Sequence, residues 1–142
     1  MKNVLALSLF ICLLLGGCAT SKSVEQKQPI LYTGANALED LTKLHIMTYF
    51  AVLVERDGRD GAIAAIKFQM PQYSYNPDKI ELANTLIGVL QKYGADKSVA
   101  TAKRLAASYA IRLKAAYPHI KDRQIRTKME RELNAYETLI KN

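Results

Sequence analysis

The stretch that decides the fold runs from residue 99 to residue 117 and reads VATAKRLAASYAIRLKAAY. Its apolar and aromatic residues recur every three or four positions, which is the spacing of one face of an α-helix. That stripe consists of Val99, Ala102, Ala106, Tyr109, Leu113 and Tyr117. At 100° per residue the opposite side carries Lys97, Lys103, Arg104, Arg112 and Lys114. The pattern predicts an amphipathic helix that begins at Asp96 or Ser98 and stops before Pro118.

The same period continues downstream. A helix from about Ile120 to Ile140 is predicted by a second stripe, formed by Ile125, Met129, Leu133, Tyr136 and Ile140. Upstream, Asn76 as the N-cap and Pro77 at the first helical position predict the start of a helix that Gly94 ends. Residues 71–77 (PQYSYNP) form the predicted loop before it.

Two more helices are predicted nearer the N-terminus. Asn36 with Glu39 fits a capping box, and this helix runs to about Arg56, where Asp57-Gly58 ends it. A short helix, capped by Asp60, follows from 61 to about 69 and is stopped by Pro71.

Residues 46–54 (IMTYFAVLV) leave an alternative open. Only Thr48 interrupts this apolar run, and its β-branched and aromatic residues also suit a strand in a hairpin with residues 63–68. Continuity with the capped start favours a helix, because Ile63 and Ile66 are three residues apart rather than alternate. A helix that is apolar on nearly every side must lie at the centre of the bundle or be covered by a partner. The predicted fold is therefore an all-α, compact bundle of four to five mostly antiparallel helices over residues 36–142.

The N-terminus carries an address signal. Residues 1–17 (MKNVLALSLFICLLLGG) combine one positive charge, at Lys2, with an apolar core that is shorter than the roughly 20 residues of a membrane span. An uncleaved anchor is the alternative interpretation.

Leu15-Gly16-Gly17-Cys18 resembles the lipobox of bacterial lipoproteins. The resemblance implies cleavage before Cys18 and attachment of acyl chains to its sulfur. It also favours the outer membrane, because Ala19 stands where an Asp commonly marks inner-membrane retention in that class. Two or more chains give stable anchoring.

The resemblance accounts for both cysteines of the chain, because Cys12 lies in the removed segment and Cys18 carries lipid. The mature chain then has 125 residues and a formal charge of +6. Residues 18–35 are predicted to be a lipidated, flexible tether, since they are polar, contain Pro29 and show no apolar period.

Positive charge is concentrated in one region. Between 97 and 128 nine basic residues face one acid, Asp122, which gives a local charge of +8. We predict a face that binds an anionic partner, such as peptidoglycan or anionic lipid, whereas a solvated surface is the alternative. Nucleic acid is not expected for an exported chain. The face consists of Lys97, Lys103, Arg104, Arg112, Lys114, Lys121, Arg123, Arg126 and Lys128.

Tyr73 and Tyr75 are candidate interface aromatics, and packing of both against the end of the bundle is the alternative. Catalytic, metal and cofactor sites are not predicted. His45 and His119 are isolated, and an EF-hand match fails at Gly58. The carboxylate pairs Glu39-Asp40 and Glu130/Glu132 are expected on helix surfaces.

These features together predict a non-enzymatic lipoprotein of the outer membrane, facing the periplasm, that binds another envelope or secretion-system component. Its layout resembles that of secretion-system pilotins, in layout alone. An exclusion or immunity lipoprotein of plasmid or phage type is one alternative. A structural lipoprotein that binds peptidoglycan or lipopolysaccharide is another.

Overall fold

The computed structural model describes residues 32–142, and every regular element in this part of the chain is helical, as predicted. The predicted signal peptide, Cys18 and the tether up to residue 31 lie outside the described residues. The α-helices are α1 (Gly34–Gln69), α2 (Pro77–Tyr93), α3 (Ala95–Ala116) and α4 (Arg123–Lys141). Two short 3-10 helices, Met70–Tyr73 and Tyr117–His119, connect them. The first of these occupies part of the predicted 71–77 loop.

Helix α1 begins earlier than the predicted capping box. Thr33 is the N-cap, and its hydroxyl oxygen accepts a hydrogen bond from the Asn36 backbone N–H. The Asn36 side chain in turn accepts from the Thr33 backbone N–H. Asn36 is therefore the third residue of the box rather than its cap, and the predicted pairing with Glu39 is wrong. The Thr33 hydroxyl, three residues before Asn36, accepts from a free backbone N–H at the start of the helix, so the helix begins before Asn36.

Gly58 breaks α1 where the sequence predicted a stop. Its φ of 69° and ψ of −170° lie in a region that essentially only glycine adopts. Residues 34–57 and 59–69 are therefore two helical arms joined at Gly58. The second arm ends before Pro71, and α2 then begins beside the first arm, because Lys43 Nζ lies 3.6 Å from Asp78. The chain thus returns along the bundle after the break.

The ambiguous segment 46–54 is helical and central. Seven of its nine side chains are buried, and only Tyr49 and Val52 keep substantial exposure. Its neighbours cover the rest, since the first arm packs against α2, α3 and α4. Burial around most of the circumference explains why the segment shows no helical period.

The boundaries of the later helices match the sequence in part. Asn76 caps α2, and Gly94, with a φ of 83°, ends it, as predicted. Helix α3 starts directly at Ala95, so the predicted starts at Asp96 and Ser98 are wrong by one and three residues. Gly94 permits so sharp a turn that no linker is needed.

Helix α4 begins at Arg123 rather than near Ile120, because Asp122 caps it by accepting from two backbone N–H groups. Its buried stripe ends with Leu139, and the predicted Ile140 is half exposed.

The bundle has two distinct ends. A Cβ placed on Gly34 would lie only 3.0 Å from Ile125 Cδ1, so the start of α1 contacts the start of α4. The end of α3 connects to α4 through a few residues and lies there too. We call this the proximal end, because the described chain enters the fold there. Gly58 and Gly94 lie at the opposite, distal end, where Lys103 of α3 reaches Glu55 of α1 at 3.7 Å.

Candidate functional site on the α1–α4 face

Helix α1 keeps one stripe of side chains in contact with solvent along its first arm. Its members follow helical spacing of four and three residues, and they are partly or largely exposed. The α1 stripe, as we name it, consists of Leu38, Thr42, His45, Tyr49 and Val52. Leu38 and Val52 are both 39% exposed, a large fraction for aliphatic side chains of a central helix. The rings of His45 and Tyr49 stack, with centroids 5.7 Å apart and planes 7° from parallel.

A cleft runs beside the stripe, between α1 and α4. It has a volume of about 240 Å³. This is smaller than the pockets that hold drug-sized ligands and suits one or two side chains. The lining comprises Leu38, Leu41, Thr42, His45, Lys128, Arg131 and Glu132. Thr42 is already engaged, because its hydroxyl donates to the Leu38 carbonyl.

Glu132 forms the floor of this cleft and is fully paired. It is only 6% exposed. One carboxylate oxygen accepts a hydrogen bond from His45 Nδ1 at 3.0 Å, and the other accepts from Arg131 Nε at 3.1 Å. Burial alone would raise the pKa of Glu132, but the hydrogen bonds and positive charge of His45 and Arg131 outweigh it and hold the pKa below its ordinary value. The carboxylate is therefore ionised, and His45 Nδ1 carries the proton.

The expectation that Glu132 lies on a helix surface is therefore wrong. The signal that could have placed it was its spacing, three residues after Met129 and four before Tyr136 on the buried stripe of α4. His45 had no such signal, because its partner is 87 residues away. The hydrogen bond to Glu132 fixes the orientation of the His45 ring. Among the described residues, Glu132 is the one acid that contacts this imidazole.

The predicted basic face is divided by internal contacts. Arg112 makes two hydrogen bonds to the buried Asp40 carboxylate, at 2.9 and 3.0 Å, and Tyr32 donates to the same carboxylate at 2.7 Å. The expectation that Asp40 lies on a helix surface is wrong, because its carboxylate is buried by these contacts. We call this arrangement the Tyr32–Asp40–Arg112 clamp. Burial, together with the hydrogen bond to Asp40, raises the pKa of Tyr32. Arg112 is thus committed to the fold.

Other predicted basic residues are also engaged. Lys114 contacts Glu137 at 2.7 Å, and Lys103 contacts Glu55 at 3.7 Å. Lys97 lies over the ring of Tyr93 at the distal end. Arg104 and Lys128 are exposed without an ion-pair partner among residues 32–142.

Three members of the predicted face come together at the proximal end. Lys121, Arg123 and Arg126 line a surface depression of about 470 Å³ with Thr127 and Glu130. Glu130 accepts a hydrogen bond from the Tyr117 hydroxyl, and Arg126 lies over the Tyr117 ring. The side chains of this basic cluster, Lys121, Arg123 and Arg126, are all exposed.

The two candidate aromatic residues lie in different environments. Tyr73 packs against the core and donates to Gln69 Oε1 at 3.4 Å, whereas Tyr75 is fully exposed. Phe68, which was not singled out from sequence, is 83% exposed in the last turn of α1. His119 is exposed at the proximal end.

No protein-family model, curated protein or solved structure matches this chain. Within residues 32–142, His, Asp and Glu side chains nowhere gather in a group of three that could hold a metal ion. No helix in that part of the chain is long and apolar enough to cross a membrane.

Proposed function

We propose that this protein is an outer-membrane lipoprotein whose helical bundle binds an acidic, amphipathic helix of another envelope protein. The lipobox at 15–18 supports the anchor, and the predicted tether supports a bundle that is free to dock. The α1 stripe is the observation on which the proposed binding rests. Three neighbouring helices cover α1, yet aliphatic and aromatic side chains on its remaining side stay exposed to solvent.

The shape of the site suits a helix as partner. Stripe residues recur every three or four positions over about four turns, so that a second helix laid alongside could contact each of them in register. Leu38 and Val52 supply apolar area near its two ends, and the stacked His45 and Tyr49 supply an aromatic surface between them. Aromatic side chains of this kind often contribute most to the energy of an interface.

The charge of the cleft suits an acidic partner. Lys128 and Arg131 are exposed at its rim. Glu132 is the acid among the lining residues, and both of its oxygens are already paired, so it offers little repulsion to an incoming carboxylate. Electrostatic complementarity of this kind fixes register and partner choice.

Site-specific photo-crosslinking in cells tests this proposal. A photoreactive residue at position 52, on the α1 stripe, should give an adduct whose crosslinked peptide maps to an acidic amphipathic segment of an envelope protein. The same residue at position 111 is the control, because Ile111 is 68% exposed on the outer face of α3. Equal adducts at both positions, or a crosslinked peptide without acidic residues, would contradict the proposal.

A synthetic peptide of the mapped segment then tests the charge argument. Lys128→Glu should weaken its binding by about tenfold, since one favourable rim contact becomes repulsive. Lys92→Glu at the distal end makes the same change of charge and should leave the affinity unaltered. Equal affinities for both variants would remove the electrostatic part of the proposal.

A further inference from the structure

The proximal end of the bundle combines two features that the sequence keeps apart. The described chain enters the fold at Tyr32 and Thr33, and the next residue, Gly34, contacts Ile125 in the first turn of α4. The basic cluster of Lys121, Arg123 and Arg126 surrounds that same turn. The entry point of the chain and the cluster are therefore neighbours, although about 90 residues separate them in sequence.

The cluster is available to an external anion. Asp122, the acid between its members, is the N-cap of α4 and accepts from the backbone N–H groups of Gln124 and Ile125. Glu130, the acid in the depression, accepts from Tyr117. Neither Lys121 nor Arg123 has an ion-pair partner among the described residues, and Arg126 contacts the Tyr117 ring and hydroxyl.

From this juxtaposition we infer that the basic cluster seats the proximal end of the bundle on the anionic phospholipid headgroups of the membrane that holds the anchor. The inference rests on the proposed lipidation of Cys18. Thirteen residues lie between Cys18 and Tyr32. A flexible tether of that length, as predicted from the sequence, would have an end-to-end distance of roughly 20 Å and would keep the cluster within reach of the headgroups.

Seating orients the molecule. The first arm of α1 starts at the proximal end and leads away from it, so the α1 stripe stands upright from the membrane surface and faces sideways. A partner can then reach the stripe without displacing lipid. Each basic side chain near an anionic surface contributes about fivefold, and the charges of Asp122 and Glu130 beside them oppose this, so the equilibrium between seated and free orientations shifts by about one order of magnitude or less. The attraction weakens with salt, because charges separated by more than the Debye length are screened.

The experiment uses the lipidated protein in vesicles of phosphatidylcholine, with or without about 30% phosphatidylglycerol. The phosphatidylglycerol headgroups give the vesicle a negative surface like that of a membrane that contains anionic lipid. A fluorophore on Thr127→Cys reports distance to a quencher on the lipid headgroups. The same fluorophore on Asp60→Cys marks the distal end, where the Asp60 side chain is almost fully exposed. We expect strong quenching at 127 only in anionic vesicles, reversal by high salt, and weak quenching at 60 throughout.

Matched variants isolate the cluster. Lys121→Gln with Arg123→Gln and Arg126→Gln should abolish the quenching at 127 in anionic vesicles. The control, Arg59→Gln with Lys92→Gln and Lys97→Gln, removes three charges from the other end of the bundle and should retain it. Equal quenching at 127 in both lipids, or equal effects of the two triple variants, would overturn the inference.

Two further measurements distinguish this inference from the proposed lipid anchor and from binding to peptidoglycan. Flotation of the protein with vesicles follows the lipid anchor whatever its orientation, so absence of flotation defeats the proposed anchor and not the cluster specifically. Salt-sensitive binding to purified peptidoglycan that the cluster variant loses, without quenching at 127, would assign the cluster to peptidoglycan carboxylates and overturn seating on lipid.

Discussion

Arg112 is expected to stabilise the fold rather than to bind a partner, and Arg112→Ala tests this directly. The substitution removes two charge-assisted hydrogen bonds, of 2.9 and 3.0 Å, and leaves the Asp40 carboxylate, which is 9% exposed, with Tyr32 as its remaining donor. Breaking a fully buried ion pair costs about 3–5 kcal/mol, whereas exposed pairs contribute about 1 kcal/mol or less. The Arg112 side chain is itself 48% exposed, so we expect a cost between these limits, about 2 kcal/mol.

Lys114→Ala is the matched control, because Lys114 lies two residues further along α3 and also makes one ion pair. Its partner Glu137 is itself 38% exposed. The expected cost is about 0.5 kcal/mol. Urea unfolding followed by circular dichroism gives both values, and the difference corresponds to about 6–12 °C in melting temperature for a domain of this size.

A double-mutant cycle with Asp40→Asn completes the test. In that background Arg112→Ala should cost less than about 1 kcal/mol, because the charge that it served is gone. Equal costs for Arg112→Ala and Lys114→Ala, or no coupling to Asp40, would refute the argument that burial of Asp40 makes the clamp strong.

Three further predictions concern stability. Thr48→Val should stabilise the fold by about 1 kcal/mol, because the buried Thr48 hydroxyl has no hydrogen-bond partner among residues 32–142; a loss of melting temperature would contradict this. Gly58→Ala should destabilise by about 1–3 kcal/mol through its backbone alone, since a Cβ there meets nothing within 4 Å, and an unchanged urea midpoint would disprove it. The folded-state pKa of Glu132 lies below its ordinary value of 4.5, so its pairing stabilises the fold above about pH 4.5, and that stability is lost as pH falls through the lower folded value. Glu132→Gln should therefore flatten the fall in melting temperature as the pH drops below about 4.5, and a curve parallel to that of the natural chain would count against it.

Most helices could be predicted from short stretches of sequence, because capping and turns depend on neighbouring residues. Asn76-Pro77 and Gly94 define α2 almost alone. Where two local solutions compete, sequence is less decisive: Thr33 and Asn36 are both good caps, and Asn36 serves as the third residue of the box instead. Helix or strand for 46–54 was settled by three neighbouring helices that no local pattern reveals.

The candidate site was less predictable than the fold, because its contacts join distant residues. Asp40 and Arg112 are 72 positions apart, and His45 and Glu132 are 87. Composition correctly located a concentration of positive charge but could not say which charges the fold itself uses. Packing divides them into residues paired within the fold, exemplified by Arg112, and exposed residues that include the basic cluster at the proximal end.

The Tyr32–Asp40–Arg112 clamp also has a mechanical consequence. If the bundle is held by lipid at one side and by a partner on the other, a pull along the chain reaches the described residues first at Tyr32. Tyr32 and Arg112 both donate hydrogen bonds to the Asp40 carboxylate, so a pull on the incoming chain is resisted by α1 and α3 together. The first turns of α1 therefore cannot unwind as far as Asp40 without breaking the clamp.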